Sequence, residues 1–111
     1  MRVAIFGFED PRFTASLLER GATIRWEPAT ELDLAFLMVR EAGDLNRLAD
    51  LRPLIRANGA IWVLRLKGSA ATVRELDVID AGRRHRLVDN KIASFSETLA
   101  AMRLVIPLGL R

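Results

Sequence analysis

Apolar residues recur along this chain in two alternating periods, and the alternation predicts a succession of strands and helices. Val3-Ala4-Ile5-Phe6 is a short unbroken apolar run, the pattern of a strand buried on both faces, and it stops at Gly7. Asp10 followed by Pro11 predicts a helix start. The carboxylate can accept a free N–H of the first turn, and proline loses nothing at a position whose N–H has no helical partner. Phe13, Leu17 and Leu18 are expected along one face of that helix, with Gly21 as its terminator.

A second strand is expected from Ala22 to Glu27, stopped by Pro28, and a third from Leu34 to Val39. Asp44 is the expected cap of a second helix, along which Leu45, Leu48, Leu51 and Ile55 recur at helical spacing. Pro53 should break or kink its last turn, and Asn58-Gly59 should close it. Ala60 to Leu66, with Trp62 inside it, reads as a fourth strand. Thr72 with Glu75 three residues on makes a capping box for a third helix, whose buried stripe is Val73, Leu76 and Ile79. After Gly82 come two strands, Leu87 to Phe95 and Leu99 to Pro107, joined by Ser96-Glu97-Thr98. The order β-α-β-β-α-β-α-β-β predicts an α/β fold: a mostly parallel sheet with right-handed crossovers, closed by an antiparallel hairpin.

Composition narrows the chemistry. The 111 residues suit one domain, 1–111, and scaling laws bury roughly two-thirds of the unfolded surface, enough for a core without staples. Half the residues are hydrophobic and 28% are charged, as in an ordinary globular protein. With no cysteine there is no disulfide, no thiolate nucleophile and no sulfur-built metal site. His85 is the only histidine and stands among arginines, which argues against a histidine-rich metal site and against Ser-His-Asp chemistry. The first apolar run is too short for a signal peptide, and no run approaches the ~18 residues of a membrane span, so a cytoplasmic protein without a membrane partner is expected. Net charge is +3, and 15 of the 17 cations are arginine spread from Arg2 to Arg111, which argues against nucleic acid.

The segment Leu87 to Val105 resembles the closing signature of an uncharacterised bacterial domain-of-unknown-function family. There a Leu-Val-Asp-Asn-Lys strand is followed by a Glu-Thr turn and the last strand. Asp89, Asn90, Lys91, Glu97, Thr98 and Arg103 fall on matching positions. Ile61-Trp62-Val63 with Lys67 and Ser69, and Met38-Val39-Arg40, resemble the same family's strand exits. Leu99, Ala100 and Ala101 stand where the family usually carries Trp, Ser and Gly. The resemblance implies a three-layer, Rossmann-like fold similar to a shortened class I methyltransferase. Its sheet order would be 2-1-3-4-6-5, with the last strand antiparallel and inserted beside the fourth. No activity comes with it.

Full methyltransferases place a Gly-rich loop after the first strand and an acid at the end of the second. Here Gly7 and Glu27 take those places at a spacing that suits an acid on a ribose hydroxyl. The turn Gly7-Phe8-Glu9-Asp10-Pro11, however, holds one glycine, a bulky aromatic and two carboxylates, which disfavour a phosphate there. Open α/β sheets bind ligands beyond their strand carboxyl ends, and the predicted edge gathers Gly7, Phe8, Glu27, Arg40, Lys67 and Ser69. Arg40 and Lys67 together could hold a phosphate or carboxylate; the competing reading pairs them with neighbours such as Glu41. Arg83-Arg84-His85-Arg86 complements a helix dipole or contacts a nucleic acid or an acidic partner. Trp26 and Trp62 read as core or interface, Asp77 and Asp80 as a solvated face, and Asp89-Asn90-Lys91 with Glu97 as a polar cluster or a turn network. The expectation is a non-catalytic binding or interaction module, homodimeric, with no catalytic residue, metal or required cofactor. The alternative is a vestigial S-adenosylmethionine-, nucleotide- or small-anion-binding domain using the strand ends.

Overall fold

A computed structural model describes residues 1–26 and 29–111. In chain order the elements are β1 (Arg2–Phe6), α1 (Pro11–Glu19), β2 (Thr23–Arg25), β3 (Leu32–Met38), α2 (Leu48–Leu51), β4 (Ile55–Leu66), α3 (Glu75–Arg84), β5 (Val88–Ser94) and β6 (Leu99–Val105). The six strands make one sheet in the order β2-β1-β3-β4-β6-β5. β1 to β4 pair in parallel, and β6 runs antiparallel between β4 and β5. The expected order and the inserted last strand are both present.

Alternation along each strand divides the core. Ala4, Phe6, Ile61 and Val63 point to one face, where they pack with Leu45, Leu48 and Leu51 around α2 and with Val78 and Ala81 of α3. Val3, Ile5 and Phe36 point to the other, beneath Phe13 and Leu17 of α1. β1 steps to β2 in one direction and β3 steps to β4 in the other, so right-handed connections place α1 opposite α2 and α3. The same reversal makes the gap between β1 and β3 the switch point of the sheet.

Asp10 caps α1 as expected: Asp10 Oδ1 accepts the Phe13 N–H at 3.0 Å, with Pro11 in the first helical position. Leu17 is buried, but Leu18 is 55% exposed, because adjacent helical residues lie about 100° apart and cannot share one face. The second helix is shorter than expected. Leu45, Leu48 and Leu51 are buried, yet Ala42–Arg47 and Arg52–Leu54 form 3-10 turns around a single α turn. Pro53 supplies no N–H to extend that turn, and Ile55 already begins β4.

Asn58-Gly59 therefore lies inside a strand rather than closing a helix. The β3–β4 register jumps from Leu32↔Ile55 to Leu34↔Ala60, so residues 56–59 bulge opposite Asp33. Asp33 anchors the bulge by pairing with Arg56 at 3.2 Å and accepting the Arg2 N–H at 2.7 Å. The third helix begins later than Thr72. Asp77 Oδ2 accepts the Arg74 N–H at 2.8 Å and sets its start, and Leu76, expected in the buried stripe, is 64% exposed.

Candidate functional site

The carboxyl ends of β1 and β3 meet at the switch point. β1 leaves the sheet through Gly7, whose φ of +89° suits glycine and where an added Cβ would stand 3.2 Å from the Met38 carbonyl oxygen. β3 leaves through Val39 and Arg40. The Arg40 guanidinium crosses the gap, and its Nη1 donates to the Gly7 carbonyl oxygen at 2.9 Å. Its other N–H groups belong to an exposed side chain.

The Arg40 main chain is fixed on both sides. Its N–H donates to Asp44 Oδ2 at 2.8 Å, and its carbonyl oxygen accepts the Thr72 hydroxyl. Thr72 thus ties the approach of α3 to the end of β3 instead of capping α3. Asp44 Oδ2 also accepts the Glu41 N–H at 3.2 Å. The Arg40 and Glu41 N–H donors together hold the Asp44 carboxyl below the usual carboxylate range.

The remaining predicted residues separate. Lys67 leaves β4 but turns toward the β5–β6 hairpin, donating to Ser94 Oγ at 2.5 Å and to the Ser96 carbonyl at 2.6 Å. It makes no contact of this kind with Arg40. Ser69 is exposed in the Gly68–Ala70 turn. Glu27 lies outside the described residues. Phe8 packs against Phe13 and Phe95, with ring centroids 6.2 and 6.1 Å away. Gly7 and Arg40 are the predicted pair that the fold joins directly.

A phosphate at the first turn of α1 would compete with a cap already in place. Phe8 is committed to the aromatic cluster, and the first turn of α1 is already capped by the Asp10 carboxylate. A small anion suits the exposed N–H groups of Arg40 better.

Two depressions escaped the sequence. The first, of about 420 Å³, lies on the outer flank of α1 beside β2 and is lined by Pro11, Ala15, Leu18 and Trp26, with Glu9 and Asp10 at its rim. Pro11, Ala15 and Leu18 stand at i, i+4 and i+7, a second apolar stripe that could have been read beside the Phe13–Leu17 one. The second, of about 270 Å³, lies on the α1 side of the sheet between α1 and β5. Among the described residues no other helix covers that face, and only tertiary structure brings its walls together.

No family model matches the chain, and no curated protein matches it. Solved structures do. A candidate methyltransferase from Thermoplasma acidophilum aligns over 99% of this chain and 70% of its own, with a TM-score of 0.72 and 6% identity. A SAM-dependent methyltransferase from Bacteroides fragilis, in complex with S-adenosyl-L-homocysteine, aligns over 97% of this chain and 73% of its own, at 0.69 and 8%. A pericyclic reaction enzyme aligns over 96% of this chain but only 36% of its own, at 0.62 and 13%. The fold is methyltransferase-like. At these identities the likeness is one of architecture, and the neighbours differ in the chemistry they are named for.

Proposed function

We propose that this chain is a non-catalytic α/β binding module that self-associates as a homodimer through the α1–β2 flank. The observation that carries this is the exposure of Trp26 and Leu18, each 55%, around one apolar depression at the edge of the sheet. Tryptophan is among the residues enriched at the energetic centres of protein interfaces. Exposed charges of both signs adjoin the depression, Glu9 on its lining and Arg12 beside Pro11 at the start of α1, which suits a self-complementary twofold contact. We place the protein in the bacterial cytoplasm, in the uncharacterised family that its Leu87–Val105 segment resembles. Sedimentation equilibrium tests the reading: a dimer is expected, and Trp26→Ser should weaken it about tenfold or more. A wild-type monomer at high micromolar concentration overturns it.

A second reading keeps the strand ends as a vestigial ligand site for a small anion, built on Gly7, Phe8 and Arg40. The Arg40–Gly7 bridge and the methyltransferase-like architecture favour it. Calorimetry with phosphate, AMP and S-adenosylmethionine separates the possibilities. Phosphate alone should bind, and Arg40→Gln should abolish the heat; no heat from any of the three removes this reading.

A further inference from the structure

We infer that the groove on the α1 side of the sheet is a binding site for a small aromatic carboxylate, distinct from both the strand ends and the dimer flank. Its floor is Leu34, Phe36, Trp62 and Leu64, and its walls are Phe13 and Leu17 of α1 and Phe95 after β5. Phe13 meets Phe36 and Phe95 edge-on, with ring centroids 4.8 and 4.9 Å apart, so aromatic rings close the upper end. The cavity of about 270 Å³ is the size of one or two fused rings, and its aromatic lining offers them edges and faces to pack against.

Charge selects the ligand. Arg20 at the end of α1 is the one charged side chain on the lining, which Met1 also joins, and among the described residues no carboxylate lines it. Arg20 takes part in neither of the ion pairs formed among the described residues, Arg56–Asp33 and Arg74–Asp77. An apolar slot with one uncommitted guanidinium at its rim is complementary to a flat hydrophobic body ending in a carboxylate, which a guanidinium can grip with two parallel hydrogen bonds. A neutral ring would leave that cation unused, and an organic cation would be repelled.

The test uses the full chain with Trp26→Phe, so that Trp62 is the sole tryptophan and its emission reports the groove floor. Titration with 2-naphthoate should quench that emission to saturation, and 2-naphthalenemethanol should bind about tenfold or more weakly, the difference expected for loss of a charge-assisted bond. Arg20→Gln, a surface change that leaves the core intact, should bring naphthoate down to the level of the alcohol. Ala93→Phe, which fills the groove from β5, should abolish quenching. Equal binding of acid and alcohol, indifference to Arg20→Gln, or no saturation by naphthoate overturns the proposal. So does a dimer that Ala93→Phe splits, since a second copy would then fill the groove. Because Trp26 is already replaced, failure of the flank dimer is read separately by sedimentation.

Discussion

Gly59 is held by crowding rather than by its dihedral angles. A Cβ there would lie 2.8 Å from the Leu32 carbonyl oxygen and 3.0 Å from that of Asp33, both main-chain atoms that cannot swing aside. Gly59→Ala should cost about 2 kcal/mol, seen as a lower urea midpoint with an unchanged slope. Asp44 is the acid-sensitive residue of the switch point. Its carboxyl is held below its unfolded value by the Arg40 and Glu41 N–H groups. The stabilisation it supplies is therefore complete above the unfolded carboxylate pKa and is lost as pH falls through the folded one. Asp44→Ala should destabilise by about 1 kcal/mol at neutral pH, and the difference from wild type should vanish in acid denaturation at low pH.

At the scale of elements, β5 is an edge strand with its defence built in. Asn90 is the extra residue where the β5–β6 register shifts between Asp89 and Lys91, and Arg103 donates to its side-chain oxygen at 3.4 Å. A bulge and an exposed lysine twist and charge an edge that would otherwise template another chain. Deleting Asn90 together with Lys91→Val should produce aggregation on mild heating, measured as turbidity, while either change alone should be milder.

β1, β3 and the second half of β4 were legible because buried parallel strands are continuous apolar runs. The start of α1 was legible because its cap is local: Asp10, Pro11 and Phe13 need nothing from elsewhere. The short α2 was not, because Leu45, Leu48 and Leu51 bury equally well from 3-10 or α turns, and the choice rests on Pro53 and the needs of β4. Thr72 was misassigned for a similar reason. Its hydroxyl had a nearer partner in the Arg40 carbonyl, brought there by folding. Among the strand-end residues, side-chain direction brings Arg40 to Gly7 and sends Lys67 to the β5–β6 hairpin, and direction is not written in the sequence pattern.

For the whole molecule, self-association predicts a melting temperature that rises with protein concentration, by mass action on the folded dimer. Scanning calorimetry over a hundredfold concentration range should show that dependence in wild type, and in Trp26→Ser it should set in only at about tenfold or more higher concentration. The methyltransferase-like sheet carries α1 alone on one face and α2 and α3 on the other, so one half-face is left to aromatic side chains. That asymmetry leaves α1 bordering both the flank depression and the aromatic groove.

The position of β6 bears on how the chain reaches this state. β4 acquires its second neighbour only when Leu99–Val105, later in sequence than β5, slots between them. On a ribosome, β1 to β4 can pair while the far edge of β4, with Ile61, Val63 and Leu64, stays bare. Synthesis makes that edge wait for the end of the hairpin, so nascent chains arrested before Leu99 should be the ones that chaperones hold.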